Sequence, residues 1–311
     1  MDLFVNILLL IVGFILLVKG SDIFVDGSVS VAKLFRVPAV IIGLTIVSIG
    51  TSAPEAAVSI TAGIKGSNEI AISNLVGSNI FNMLCVAGIS ALITPFLVDK
   101  VVLKRDFPVA IAVMVIVALM CYTNRSVTRL EGAILFVIFI TYIAYLIRNA
   151  ICNREYQHNN EKPMSVIKSI VYILVGIAAI IFGGQLVVGS AKFIARMFGM
   201  SESLIGVTIV AIGTSLPELV TSIVAAKKGQ SDIAIGNIVG SNIFNLTFVL
   251  GISSLCTPIA VVTEALVDNL AMIVVNVLGF IFCLTARKLM RAEGLTMLLI
   301  YALYTTYLLA I

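Results

Sequence analysis

Charge is what this sequence lacks most. Only 12% of its 311 residues are charged, against roughly 25% in an ordinary soluble domain. A chain so poor in charge cannot cover a water-facing surface, which excludes most soluble folds. There is a single histidine, His158, and it falls in a polar loop. No transmembrane histidine, paired aspartates or Ser/His arrangement is visible, so an intramembrane enzyme is disfavoured. The five cysteines (Cys85, Cys121, Cys152, Cys256 and Cys283) are well separated. With no CxxC or Cys/His cluster they read as free, inert thiols. The net charge of +4 comes from basic residues scattered at the ends of apolar runs, so it carries no nucleic-acid signal. Met1-Asp2-Leu3-Phe4 lacks the positive region of a signal peptide, and the first apolar run reads as a retained span.

What the chain has in abundance is long apolar sequence. Apolar residues make up 60% and the mean hydropathy is +1.15. A hydrocarbon core of about 30 Å takes about 20 apolar residues per helix, so the length accommodates roughly ten spans. The runs are continuous, unlike barrel strands, which alternate over about ten residues. The expected fold is therefore all-α and integral to the membrane. Breaks in the runs place spans at 3–20, 38–64, 69–95, 107–122 and 130–147, then 167–190, 203–226, 232–258, 267–286 and 295–311. The first and sixth spans are expected to continue as helix toward Phe35 and Phe198, because no turn cluster interrupts them.

The sequence repeats itself. Shifted by 163 residues, 43–82 superposes on 206–245 without a gap, with 26 of 40 positions identical. Gly50-Thr51-Ser52-Ala53-Pro54-Glu55 answers Gly213-Thr214-Ser215-Leu216-Pro217-Glu218, and Gly77-Ser78-Asn79-Ile80-Phe81-Asn82 answers Gly240-Ser241-Asn242-Ile243-Phe244-Asn245. Shared helix chemistry would not hold register through so many polar residues, so the chain is a duplication. The halves are 1–147 and 167–311, joined by a linker at 148–166. Each half holds five spans, an odd number, so the second enters the bilayer from the opposite side. The result is two inverted five-helix repeats, the plan of many secondary transporters. Loops after odd-numbered spans carry 15 of the 20 lysines and arginines. By the positive-inside rule the linker is cytoplasmic and both termini are extracellular, in a multi-pass protein of the cell membrane.

Most charges sit near span ends, and Asp22, Asp26, Asp99 and Asp106 read as solvated or interfacial. Glu55 and Glu218 are the exceptions. A carboxylate at bilayer depth costs several kcal/mol and signals function. With no basic residue at matching depth, a mobile cation is its natural partner. Gly50, Pro54, Gly213 and Pro217 weaken the helices beside them, giving discontinuous helices whose freed carbonyls can line a cavity. Hard cations take carboxylates, carbonyls and hydroxyls together. Thr51, Ser52, Thr214 and Ser215 add hydroxyls, and Asn82, Asn245, Ser78 and Ser241 can supply more oxygens from the next spans. Gly77 and Gly240 read as close-packing positions.

These paired motifs resemble the α-repeats of the cation/Ca²⁺ exchanger superfamily, with the nearest likeness to its prokaryotic Na⁺/Ca²⁺ exchangers, and the likeness runs through essentially all ten spans. The resemblance implies that Glu55 and Glu218 ligate Ca²⁺ with help from the Thr51 and Thr214 carbonyls, and that Asn82 and Asn245 complete the central site. It implies flanking Na⁺ sites from Ser48, Thr51, Ser52 and Ser241 on one side and Ser78, Ala211, Thr214 and Ser215 on the other. It also implies that the first and sixth spans slide against the remaining bundle. Some members, including those that co-transport K⁺, carry aspartate where Asn245 stands, so K⁺ dependence is disfavoured. Ser48 answers Ala211, so the two flanking sites need not be equal.

Two ionised glutamates carry −2, which one Ca²⁺ or two Na⁺ would neutralise. Competition for the same oxygens, with access alternating between the two sides, gives antiport. A third Na⁺ would make turnover electrogenic. Coupling to H⁺ or K⁺ on the same fold is the alternative; a channel is disfavoured because two inverted repeats in one chain do not make a ring-like pore. The partners expected are inorganic cations and lipid, with no cofactor and the monomer as functional unit.

Overall fold

The structure is a computed structural model that describes residues 3–152, 163–200, 209 and 211–310. His158, Asn153, Asn159 and Asn160 of the linker, and most of the stretch from Gly206 to Val210, lie outside them. Among the described residues the chain is helical with four two-residue strands. Helix α1 is Leu3–Phe35, α2 is Ala39–Thr51 and α3 is Ala53–Ile64. Helix α4 covers 68–93, α5 is Val102–Asn124 and α6 is Arg129–Cys152. In the second half, α7 is Val166–Met197, α8 is Ala211–Thr214 and α9 is Leu216–Lys227. Helix α10 is Ser231–Cys256, α11 is Thr263–Ala286 and α12 is Arg291–Ala310. Among the described residues seven helices are long and apolar enough to cross a membrane, or eight if α2 and α3 are one broken span.

The expected extension of the first and sixth spans is present, α1 reaching Phe35 and α7 reaching Met197. The fourth span starts earlier than expected. Its first turn, Val102–Asp106, is a π-turn, and Asp106 is fully buried rather than solvated. Arg105 donates to its carboxylate at 2.7 and 2.9 Å, and the Tyr142 hydroxyl donates at 2.9 Å. A buried carboxylate needs such partners, and the chain supplies them from the neighbouring residue and from α6, which sequence spacing does not reveal. Asp22 and Asp26 are half-exposed and pair with Lys228, while exposed Asp99 accepts from the Val101 amide.

Helices α4 and α10 form the core. Of their most apolar stretches 78% and 94% is buried, against 22% for α1 and for α6. The outer helices present Phe4, Leu130, Leu174 and Leu303 outward, a surface suited to hydrocarbon rather than water. The short strands tie one half to the other. Phe96–Leu97 pairs with Lys288–Leu289, and Ser126–Val127 with Ile259–Ala260, both antiparallel. Each pair extends by one further bond, from Val98 N to Arg287 O and from Val261 N to Arg125 O.

Helices α1 and α7 pack against each other along glycines spaced seven apart. A Cβ at Gly13 would meet Gly183 and Val187, one at Gly20 would meet Gly176 and Ala179, and one at Gly27 would meet Ser169 and Tyr172. As the number rises on α1 it falls on α7, so the two helices are antiparallel. Small residues let helix backbones approach where hydrocarbon offers no hydrophobic drive for association. Gly240 is a close-packing position as expected, its Cβ site lying 2.8 Å from Leu44 Cα and from Ser48 Oγ. For Gly77 no described atom comes within 4 Å, and the positions answering Leu44 and Ser48 fall where residues or side chains lie outside the description. Gly176→Ala should be costly, since the new Cβ would stand 2.7 Å from Phe24 Cβ and 2.9 Å from the Gly20 carbonyl. Overpacking of this kind costs about 1–3 kcal/mol. We expect a lower Tm in detergent for Gly176→Ala, and little change for Gly63→Ala, whose Cβ meets Ser253 at 3.4 Å; equal Tm values would contradict the close packing.

Candidate cation site

The site is built where two helices break. Between α2 and α3 the axis turns by 53° at Ser52, whose φ and ψ are −81° and 8°. Between α8 and α9 the break falls at Ser215, with φ −91° and ψ 7°. Both residues occupy the sparsely allowed bridge region. The cause follows two residues later in each case. Pro54 and Pro217 have no N–H for the carbonyls of Gly50 and Gly213, so the ladder stops and a new helix begins with proline in its first turn. Glu55 and Glu218 stand in those first turns, where the partial positive charge of the helix N-terminus favours a carboxylate.

Both glutamates are fully buried, and they lie near enough to interact electrostatically. Each is met by a hydroxyl from the other half's break. Ser52 Oγ donates to Glu218 Oε1 at 2.7 Å, and Ser215 Oγ donates to Glu55 Oε1 at 3.0 Å. Ser215 Oγ also lies 3.1 Å from Ser78 Oγ on α4. Thr214 lies beside Glu55, and Thr51 and Ser241 lie beside Glu218. Ser48 turns its hydroxyl back to the Thr45 carbonyl at 3.2 Å, against Gly240 of α10. Ala211 lies in α8, and nothing of its side chain is described.

Asn82 and Asn245 each open a π-turn, Asn82–Val86 in α4 and Asn245–Val249 in α10. Such single π-turns are frequent at functional sites. Asn82 follows Ser78, and Asn245 follows Ser241, by four residues, so each asparagine lies one helical turn from its serine on the same face. After all protein hydrogen bonds are drawn, Glu55 Oε2, Glu218 Oε2, Asn82 Oδ1, Asn245 Oδ1 and Ser241 Oγ remain buried without a partner. Five oxygens left this way on neighbouring residues form a donor set that fits a hard cation. No cluster of three or more His, Cys, Asp or Glu exists among the described residues, so the set is two carboxylates and neutral oxygens.

Several polar residues of the repeat have partners that sequence reasoning did not assign. Thr51 Oγ1 lies 2.9 Å from Asn237 Oδ1, and Asn237 Nδ2 donates to Ser222 Oγ at 2.9 Å. The other half mirrors this, with Thr214 Oγ1 3.5 Å from Asn74 Oδ1 and Asn74 Nδ2 donating to Ser59 Oγ at 2.9 Å. Asn79 and Asn242 bond across the same interface. The signal was present, since all of these asparagines recur at the 163-residue offset.

Comparison with known proteins agrees with this architecture. The family model described as sodium/calcium exchanger protein matches residues 5–148 and again 168–310. The sodium/calcium exchanger MaX1 of Methanosarcina acetivorans is 33% identical, with 98% of each chain covered. The inner membrane protein YrbG of Escherichia coli is 38% identical over 80% of this chain and 79% of its own. The solved structure of the sodium-calcium exchanger NCX_Mj, from a crystal soaked with zero Na⁺ and Ca²⁺, superposes with a TM-score of 0.87 at 32% identity, covering 99% of this chain and 100% of that one. Both halves of the sequence match, and the match extends through the helices that carry the paired glutamates: the chain belongs to the sodium/calcium exchanger family.

Proposed function

We propose that this protein is a Na⁺/Ca²⁺ antiporter of the cell membrane, working by alternating access to one central site. The observation that carries the reading is the crossed pairing of Ser52 with Glu218 and Ser215 with Glu55. It brings two buried carboxylates from different halves together and leaves one oxygen of each free. Glu55 and Glu218 are the Ca²⁺ ligands, joined by the Thr51 and Thr214 carbonyls and by Asn82 and Asn245. Flanking Na⁺ sites draw on Ser48, Ser52 and Ser241 with Thr51, and on Ser78, Ala211 and Ser215 with Thr214. The family membership and the sodium-calcium exchanger named among its solved neighbours support the choice of ions.

The mechanism follows from charge. An empty site holds two carboxylates in a medium that solvates them poorly, at several kcal/mol per ion. One Ca²⁺ or two Na⁺ removes that cost, so the loaded forms are the ones able to rearrange. A third Na⁺ gives the Na⁺-loaded state a net charge and makes exchange electrogenic, worth about 2.3 kcal/mol per charge per 100 mV. Asparagine at position 245 in place of aspartate argues for K⁺-independence. The antiparallel packing of α1 on its counterpart α7 supports two inverted five-helix repeats. Ten spans, a cytoplasmic linker and extracellular termini follow from that plan and from the placement of the basic residues. The chain carries both halves of the site, so we take the monomer as the transporting unit.

In sealed vesicles holding the purified protein, an imposed Na⁺ gradient should drive Ca²⁺ flux, and a K⁺ or H⁺ gradient alone should not. Glu55→Gln and Glu218→Gln should each abolish flux, because each removes half of the site's charge; robust exchange in either variant would sink the assignment. Setting the membrane potential with an ionophore should change the initial rate, whereas indifference to potential would rule out the third Na⁺. Thermal unfolding in detergent offers a binding readout free of transport. Ca²⁺ at 100 times its Kd should stabilise the wild type by about 2.7 kcal/mol, and a chelator should reverse the shift. No Ca²⁺ stabilisation is expected in the Glu55→Gln, Glu218→Gln double variant, and a wild-type Ca²⁺ shift in that protein would place the ion elsewhere.

A further inference from the structure

The two Gly-Ser-Asn-Ile-Phe-Asn segments meet in a crossed clasp of asparagines. Asn82 Nδ2 donates to Asn242 Oδ1 at 3.2 Å, and Asn245 Nδ2 donates to Asn79 Oδ1 at 3.1 Å. The two acceptors are themselves fixed. Asn79 Nδ2 donates to the Asn242 backbone carbonyl at 3.1 Å. Asn242 Nδ2 donates to Asn276 Oδ1 at 2.9 Å and reaches the Asn79 carbonyl at 3.4 Å. Asn276 in turn donates to the Met272 carbonyl at 2.9 Å. None of these five asparagines is more than 2% exposed.

An amide side chain presents its donor and its acceptor on opposite edges. Once the NH₂ groups of Asn82 and Asn245 are held by the clasp, their carbonyl oxygens must turn the other way. Those two oxygens are among the buried atoms left without a protein partner. A buried unpaired acceptor is costly to leave unmet, so the clasp stores a demand that only a ligand can meet. Without the clasp either amide could rotate by half a turn and present NH₂ to the site, which repels a cation. We propose that Asn79 and Asn242 are positioning residues. By accepting the amide hydrogens of Asn245 and Asn82, they hold both site carbonyls oxygen-first toward the transported cation. The inference rests on the reading above that Asn82 and Asn245 complete the central site.

The clasp is not symmetric. Asn276 anchors Asn242, whereas Val113 stands at the 163-residue offset and can accept nothing. Asn79 has instead a weak contact with Met272 Sδ at 3.7 Å. Asn242 is therefore the firmer of the two holders, and its loss should be felt more.

The test is calorimetric titration of Ca²⁺ into the purified full chain, with the Tm recorded in chelator. Partners that orient metal ligands are worth on the order of 10–100-fold in affinity, so Asn79→Ala and Asn242→Ala should each weaken binding by that order, Asn242→Ala more. Asn79→Asp and Asn242→Asp keep an acceptor oxygen for the same amide hydrogens but lose the NH₂ that fixes each holder, so each should recover part of the affinity lost in its alanine counterpart. A clasp that served packing alone would lower the Tm in all four variants and leave the affinity untouched, which would overturn the proposal. Aspartate variants that fold yet bind as weakly as the alanine ones, or that bind no Ca²⁺ when the alanine ones do not fold, would also overturn it. Wild type and Glu218→Gln are titrated in parallel. A wild type that binds no Ca²⁺ overturns the site and the clasp together. Binding that is lost in Glu218→Gln but unchanged in the alanine variants overturns the clasp alone.

Discussion

Two carboxylates buried close enough to feel each other's charge set the terms for the rest of this structure. Glu55 and Glu218 are fully buried, and among the described residues the hydrogen-bond partners of their side chains are serine hydroxyls rather than ammonium or guanidinium groups. Removing a carboxylate from water costs several kcal/mol even after the protein relaxes. The fold offsets part of that by local means. Each glutamate sits at a helix start, and each accepts one serine hydroxyl from the opposite break. The remaining oxygen of each is left over, together with two asparagine carbonyls. On the proposed reading the transported cation makes up the deficit, so the energetics of the empty site and the selectivity of the filled one have one origin.

Duplication is what makes such a site economical to encode. One segment, used twice, places serine against glutamate, asparagine against asparagine and glycine against glycine, each pair crossed with its counterpart. A pairing of residue i with j then brings i + 163 against j − 163 at no further cost in sequence. The departures from symmetry are equally informative. Ser48 answers Ala211 and Asn276 answers Val113, while Lys228 pairs with Asp22 and Asp26 where the other half has Lys65 with Gln185 and Gly189. On the proposed inverted-repeat plan, inward- and outward-facing forms of a perfectly symmetric chain would be equal in energy. These residues are where the two halves stop being equivalent.

Much of this was legible in the sequence because the strongest constraints act locally. Apolar run length marked the helices, since a span must satisfy its own backbone, and the prolines after Ser52 and Ser215 announced the breaks. Two buried acids in apolar context marked the site. What was not legible depends on partners distant in the chain. The burial of Asp106 is resolved by Tyr142 on another helix, and nothing in the local sequence says that this span end turns inward. The π-turns at Asn82 and Asn245 leave no compositional trace. Gly13, Gly20 and Gly27 stand seven apart in sequence, but that spacing acquires a meaning only against the glycines of α7 on which they pack. Asn79 and Asn242 recur at equal spacing, yet holding a ligand and being one look the same in sequence.

The most direct test of the paired-glutamate site is a high-resolution density map of the protein with Ca²⁺ bound. The account predicts one strong peak per chain, coordinated by the Oε2 atoms of both Glu55 and Glu218 and approached by the carbonyls of Asn82 and Asn245. A peak bound by only one glutamate would contradict it. So would the two carboxylates bonded directly to each other through a shared proton, with Ca²⁺ bound elsewhere in the molecule.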